Sequence, residues 1–159
     1  MEIEKKFTIK QLPDTLEEYA CIQMEQGYLC TRPVVRIRRE NEAYVLTYKS
    51  KTQFNEEQHG AKISNEVELP LTKEAFEHLK EKIDGRMIEK ERYLIPLKAG
   101  QKIELDIFHG YLEGLMFAEV EFQSVEEAEA FIPPEWFLED VSLDRRYNNS
   151  YLSQIERWE

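Results

Sequence analysis

Cysteine is scarce in this chain, with two in 159 residues, Cys21 and Cys30. Two thiols make no disulfide scaffold, their spacing fits no zinc pattern, and both read as ordinary thiols in a reducing compartment. Histidine is scarce too: His59, His78 and His109 are scattered, with no spacing suited to a shared metal. His78 falls on a candidate helix and reads as a surface residue. No apolar run reaches 18 residues, and the opening MEIEKKFTIK has no hydrophobic stretch. No membrane span or signal peptide is therefore expected, and the cytoplasm is the default location. A basic excess is also missing. Lys and Arg number 21 against 32 Asp and Glu, a formal net charge of −11, which argues against a nucleic-acid surface. A small anion stays possible, because a local cluster of bases can override the net sign. There is no internal repeat, low-complexity tract or linker, and the length fits a single domain over 1–159.

What the chain does have is alternation. Hydrophobic residues make up 42% and charged residues 33%, a globular balance able to form a core without staples. Period-two patterns predict strands at 2–9, 22–31, 34–40, 43–50, 62–69, 87–95, 102–108 and 115–122. Asn41-Glu42 predicts a tight hairpin, and Ala99-Gly100 and Gly110 to Gly114 punctuate the later strands. Helices are predicted over 72–83, with Thr72 as N-cap and Ala75, Phe76, Leu79 and Ile83 on one face, and over 124–131. The latter opens on a Ser124/Glu127 capping box and stops at Pro133-Pro134. A third helix is predicted over 149–158, with Tyr151, Leu152 and Ile155 as its apolar contacts, and a brief turn near 14–19. The polar segment 51–61 reads as a mobile loop. Eight strands with few helices predict a mainly β (α+β) fold, a closed eight-stranded antiparallel β-barrel, since closure removes strand edges. An open sandwich is the competing arrangement.

The informative feature is the parity of the charges. Residues i and i+2 of a strand share a face. Glu2, Glu4 and Lys6 share one; so do Arg36 and Arg38, Glu66 and Glu68, Lys90 and Arg92, Glu104 and Asp106, and Glu119 and Glu121, while Lys49 sits two positions from Thr47. A solvated face normally mixes signs with Ser, Thr and Gln. Here most strands carry a single sign. Inside a barrel such a set is costly to desolvate unless paired or bound. Carboxylates facing Arg and Lys suit a polyphosphate bridged to Mg²⁺ or Mn²⁺: carboxylate oxygens are hard ligands, and Arg clamps phosphate oxygens in bidentate fashion.

The N-terminal Glu2-Ile3-Glu4-Lys5-Lys6 fits an ExExK signature. It is followed in order by Gln26-Gly27-Tyr28-Leu29, Val35-Arg36-Ile37-Arg38, Leu46-Thr47-Tyr48-Lys49, Glu89-Lys90-Glu91-Arg92-Tyr93, Ile103-Glu104-Leu105-Asp106 and Ala118-Glu119-Val120-Glu121-Phe122. The segments 131–137 (FIPPEWF) and Arg146-Tyr147-Asn148-Asn149 complete the series. In these motifs, over essentially its whole length, the chain resembles the CYTH superfamily of triphosphate tunnel metalloenzymes, in its short bacterial tripolyphosphatase branch. The resemblance implies an eight-stranded tunnel and metal-dependent hydrolysis of inorganic tripolyphosphate to pyrophosphate and phosphate. Lys6, Arg36, Arg38, Lys49, Lys90 and Arg92 would hold the phosphates, with Arg145 or Arg146 capping them. Glu2, Glu4, Glu66, Glu68, Glu104, Asp106, Glu119 and Glu121 would hold one or two Mg²⁺ or Mn²⁺. Glu4, Lys90 and Arg92 are the catalytic candidates. Tyr28 is either structural or at a tunnel mouth. The expected partner is a small-molecule triphosphate, with no nucleic acid or membrane, for a monomer or homodimer. Alternatives are a nucleoside or thiamine triphosphatase, a class IV adenylate cyclase and a non-catalytic polyphosphate-binding module. Against the family pattern, the 51–61 loop is longer and Ser142-Leu143-Asp144-Arg145 is less regular.

Overall fold

The period-two alternation becomes nine strands in the structure, a computed structural model that describes residues 1–158. They are β1 (Glu2–Ile9), β2 (Ala20–Thr31), β3 (Val34–Glu40), β4 (Ala43–Lys51), β5 (Lys62–Pro70), β6 (Asp84–Pro96), β7 (Lys102–Phe108), β8 (Met116–Phe122) and β9 (Phe137–Asp140). The first eight follow the sequence pattern, with β2 starting two residues earlier and β6 extended at both ends. Every pairing is antiparallel, in the order β5-β4-β3-β2-β6-β7-β8-β1-β9. The barrel closes where β1 also pairs with β5, through Glu2↔Ser64, Ile3↔Ile63 and Glu4↔Lys62. Beyond that seam β1 turns to β9, the strand the sequence pattern did not signal. Four residues after two prolines are too short a run for alternation to show.

Four short helices surround the barrel, three on its outer face and the last in the C-terminal plug. They are α1 (Glu56–His59), α2 (Lys73–Lys80), α3 (Val125–Glu129) and α4 (Asn149–Leu152). The 51–61 segment, expected as a loop, holds α1. Asn55 Oδ1 caps it by accepting from Gln58 N–H, and Gly60 closes it in the left-handed region at φ 64°. Thr72 Oγ1 caps α2 by accepting from Ala75 N–H at 3.0 Å, and Ser124 Oγ accepts from Glu127 N–H at 3.1 Å. The predicted helices at 72–83, 124–131 and 149–158 are all shorter in the structure, the last by the most, and residues 14–19 hold a 3-10 turn at Leu16–Glu18. The hairpin at Asn41-Glu42 forms as expected, with Asn41 at φ 54°.

Two apolar clusters result. The outer one packs the uncharged parity of the strands, including Ile3, Phe7, Ile63, Ile103, Leu105 and Val120, beneath Ala128, Phe131 and Phe137. The inner one, Tyr28, Ile88, Phe108, Phe117 and Leu152, joins the barrel interior to the C-terminal segment, where Tyr147, Ile155 and Trp158 pack against it. The C-terminal residues thus plug one end of the lumen. On the outside, α2 buries Phe76, whose ring stands 5.1 Å from that of Tyr44. Gly27 has no room for a side chain, since an added Cβ would lie 2.5 Å from Met87 Sδ.

Gly85 ties the plug to the barrel. It sits at φ 73°, and an added Cβ would meet the Ser153 carbonyl oxygen at 2.2 Å, where Arg86 N–H already donates at 2.8 Å. Gly85→Ala therefore combines left-handed strain with a backbone collision. The expected loss is at least about 2 kcal/mol, a fall in Tm of roughly 4–8 °C for a chain of this size. Gly60→Ala, with nothing within 4 Å of the added carbon, carries only the strain, about 1 kcal/mol. Thermal unfolding of the two variants side by side checks the difference.

Candidate active site

Barrel closure turns the charged parity of the strands inward. A lumen of about 180 Å³ is lined by seven carboxylates, Glu2, Glu4, Glu66, Glu68, Glu104, Glu119 and Glu121, and by seven bases, Lys6, Arg36, Arg38, Lys49, Lys62, Lys90 and Arg92. Thirteen of these fourteen belong to the sequence-derived set. Ile103 and Leu105 lie in the outer cluster, and Glu104, of the opposite parity, faces the lumen.

The charges are partly paired. Lys49 Nζ stands 2.7 Å from Glu2 Oε1 and 3.2 Å from Glu66 Oε2. Burial opposes its charge, but Glu4, Glu2 and Glu66 outweigh burial and hold the ammonium above its ordinary range. Arg36 Nη2 donates to Thr47 Oγ1 at 3.1 Å, leaving its buried Nε without a partner. Arg38 donates to Glu40 at 2.9 Å, while burial and the neighbouring Arg36 and Arg92 lower its guanidinium. Lys6 donates to the Tyr147 carbonyl, lies 3.8 Å from Glu119 Oε1 and sits 4.1 Å from the centre of the Phe117 ring.

Glu4 and Glu119 form a carboxyl pair with opposed tendencies. Burial and the Glu119 charge push Glu4 well above the ordinary carboxyl range. Burial acts on Glu119 too, but Lys6, Arg92 and Lys90 overcome it and keep Glu119 well below. Two carboxyls so separated can hold one proton between them.

Three sequence-derived site residues are placed differently from expectation. Asp106 does not line the lumen. It is fully buried and accepts from Arg92 Nε at 2.8 Å, Arg92 Nη2 at 3.0 Å and Lys90 Nζ at 2.8 Å. Its oxygens are engaged by two bases, so it orients them and is no longer free to be a metal ligand. Burial would raise its carboxyl, but Arg92 and Lys90 hold it below the ordinary value. Arg146 is two-thirds exposed and closed onto Asp144 at 2.8 Å, away from the lumen. Arg145 lines a neighbouring cavity instead. Burial brings the Lys90 ammonium down to about 7, with Arg92 and Arg38 reinforcing it and Asp106 opposing. Lys90 also donates to Asn149 Oδ1 at 3.2 Å.

Sequence reasoning missed Lys62, although it shares the parity of Glu66 and Glu68 and pairs across from Glu4. Apart from Tyr28, it also missed the uncharged side of the lumen. Tyr28 is buried there and lines the lumen, accepting from Gln26 Nε2 at 3.2 Å. Asn148, Asn149 and Ser150 complete the lining from the plug.

Among the described residues, no three His, Cys, Asp or Glu side chains are gathered into a ready-made metal cage. The donor set still fits a hard divalent ion. Burial and neighbouring carboxylates raise Glu121 as well as Glu4, and burial raises Glu2 despite Lys49, so this wall is short of positive charge. Mg²⁺ needs no protein cage, being held by one or two carboxylates, waters and substrate phosphates.

Fold and site together define the class, a closed β-barrel with a charged tunnel along its interior. The chain belongs to the CYTH family, whose domain description matches residues 1–158. It is 39% identical over 155 residues to an inorganic triphosphatase of Nitrosomonas europaea, covering 96% of each chain. To the inorganic triphosphatase of Acetivibrio thermocellus it is 34% identical over 154 residues, 95% of this chain and 92% of that one. The crystal structure of an inorganic triphosphatase superposes with TM-score 0.70 at 38% identity, covering 99% of this chain and 97% of that one. A Hippeastrum protein, 17% identical, matches in fold with TM-score 0.62 over 81% and 83% of the two chains. Among the described residues, no helix is long and apolar enough to cross a membrane.

The buried Asp106 cluster has a stability signature. A carboxyl held below its unfolded value contributes stability that is present above the unfolded pKa, near 3.9, and is lost as pH falls through the folded value. Asp106→Asn strands Arg92 and is expected to cost about 3 kcal/mol at pH 7. Urea unfolding should show that deficit shrinking below about pH 4, as the wild-type Asp106 takes up its proton.

Proposed function

We propose that this chain hydrolyses inorganic tripolyphosphate to pyrophosphate and phosphate inside the tunnel, with the help of a divalent metal ion. The observation that carries this reading is the lumen itself, where seven bases and seven carboxylates converge on about 180 Å³. A linear polyanion fills the first set, and a hard cation bridging it fits the second. Kinship with two inorganic triphosphatases supports the same substrate.

Arg36, Arg38 and Arg92, with Lys6, Lys49 and Lys90, bind the phosphate oxygens. The unpartnered Nε of Arg36 is a donor ready for one of them. Asp106 fixes Arg92 and Lys90 from behind. Glu2, Glu4, Glu66, Glu68, Glu104, Glu119 and Glu121 would hold one or two Mg²⁺ or Mn²⁺, which when bound would neutralise phosphate charge and acidify the attacking water. Water attacks a terminal phosphorus, its oxygen forms the new P–O bond, and the bridging P–O bond to the departing pyrophosphate breaks. Glu4, the carboxyl with the strongest tendency to take up a proton, receives the proton from water. Lys90, poised near neutrality, gives one to the departing oxygen. The free thiols Cys21 and Cys30 fit a reducing cytoplasm.

The lumen has little to offer a nucleobase. Tyr28 and Val34 are its aromatic and aliphatic lining, and Tyr28 is 3% exposed. Tripolyphosphate should therefore exceed ATP in kcat/KM by at least about tenfold, or 1.4 kcal/mol. Phosphate release from tripolyphosphate, ATP and thiamine triphosphate, with Mg²⁺ or Mn²⁺, tests this. Equal or reversed constants sink the reading, and cyclic AMP as product would select a cyclase. Chelation by EDTA should abolish turnover reversibly.

Two substitutions separate the roles. Arg38→Ala should weaken tripolyphosphate binding by about 1.5–3 kcal/mol, while Lys73→Ala on α2 leaves it unchanged. Glu121→Gln keeps shape, removes charge and should abolish turnover in a folded protein. Calorimetric affinity equal to wild type in Arg38→Ala would remove Arg38 from the ligand set.

A further inference from the structure

A second cavity, of about 150 Å³, lies beside the tunnel. The two spaces share Lys62 and Asn148 and so meet at that neck. Glu56 and Glu57 face the cavity from α1, Lys62 from β5, and Ser142 and Arg145 from the segment after β9.

Some of these groups are already committed. Glu56 Oε2 accepts from Ile63 N–H at 2.7 Å. Ser142 Oγ accepts from Lys6 N–H at 3.0 Å and hydrogen-bonds Asp140 Oδ1. The two cations are not. Neither the Lys62 ammonium nor the Arg145 guanidinium has a hydrogen bond or an ion pair within 4.0 Å among the described residues. Arg146, by contrast, is closed onto Asp144 at 2.8 Å. Lys62 is mostly out of water, and burial together with nearby Lys6 lowers its ammonium, with Glu4 and Glu56 partly offsetting this. Lys62 and Arg145, neither tied up by a hydrogen bond or close ion pair, face this space beside the carboxylates of Glu56 and Glu57, and planar guanidinium beside a compact ammonium suits phosphate oxygens.

We propose that this cavity is a further phosphate subsite outside the tunnel, held by Lys62 and Arg145. The source of its phosphate rests on the tripolyphosphatase reading: the fourth phosphate of a longer linear chain, or the orthophosphate leaving after hydrolysis. Glu57, free of a hydrogen bond or ion pair among the described residues, faces the same space and opposes the anion. Its removal should act in the opposite direction to removal of Arg145.

The test is metal-free binding, so that turnover plays no part. Wild type, Arg145→Ala, Glu57→Gln and Lys62→Met are titrated calorimetrically, in excess chelator, with tripolyphosphate, tetrapolyphosphate and orthophosphate. If the subsite takes a fourth phosphate, Arg145→Ala loses roughly fivefold in tetrapolyphosphate affinity relative to tripolyphosphate, and Glu57→Gln gains. If it takes the product, Arg145→Ala loses orthophosphate affinity while the ratio of the two chains is unchanged. Lys62→Met, which also touches the tunnel, weakens both chains. Unaltered affinities for all three anions in Arg145→Ala and Glu57→Gln overturn the proposal. Failure of wild type to bind tripolyphosphate would instead count against the tunnel reading, and the orthophosphate titration would still decide the cavity.

Discussion

An ionised side chain withdrawn from water needs an opposite charge or a ligand nearby. In this barrel that requirement falls on seven of the nine strands. Because strand side chains alternate with period two, closing the sheet through Glu2↔Ser64, Ile3↔Ile63 and Glu4↔Lys62 brings the inward-facing charges of these strands around a shared lumen. The signs then sort by neighbour. Lys49 is suspended between Glu2 and Glu66, and Arg92 between Asp106 and Glu104. The outer face receives the larger apolar cluster and must itself be covered. This explains why α2, α3 and the 131–137 segment lie where they do, and why β9 extends β1 past the point where β5 leaves it.

The lumen also needs a dry end. Phe108 and Phe117 supply it from inside, and Leu152 supplies it from the plug. Lys6 and Lys90 reach down to this floor, 4.1 Å and 5.4 Å from the two ring centres. An ammonium can rest on an aromatic face, but the same floor removes water from Lys90. The lowered ammonium of Lys90 follows from this placement as much as from Arg92 beside it. Tyr147 joins the two functions, packing against the floor while its carbonyl receives the Lys6 ammonium.

Most of the fold was legible because alternation is a local signal. β1, β3 and β7 fall where the pattern puts them, and the inward parity of thirteen lining charges followed directly. What was not legible is equally physical. β9 is too short to alternate, and α1 is a single turn specified by the Asn55 cap and Gly60, which read together as loop. Asp106 has the same parity and chemistry as Glu104. Only the meeting of β6 and β7, with Arg92 directly across from Asp106, shows that its oxygens are already taken. The choice between Arg145 and Arg146 rested on one capping carboxylate, Asp144, which captures the second arginine. Lys62 escaped notice because Ser64 interrupts the charged series between it and Glu66. Tyr28, open in the sequence between a structural role and a place at a tunnel mouth, lines the lumen; residues without charge look like any other half-buried strand.

The pairing inside the lumen bears on what it can admit. Seven bases and seven carboxylates line it, so the surface presented to a ligand is close to neutral overall but strongly polar locally. A bare polyanion entering such a space would satisfy Arg36 and Arg38 while leaving Glu4 and Glu121 facing added negative charge. A bare cation would do the reverse. A polyanion accompanied by a hard cation would satisfy both sides: Lys49, paired here with Glu2 and Glu66, would turn to the anion, and those carboxylates would be the ones to hold the cation. Exchange of this kind keeps the desolvated charges compensated at each stage. The loaded and empty tunnels then differ in which opposite charges face each other, with no large change in how many are left alone.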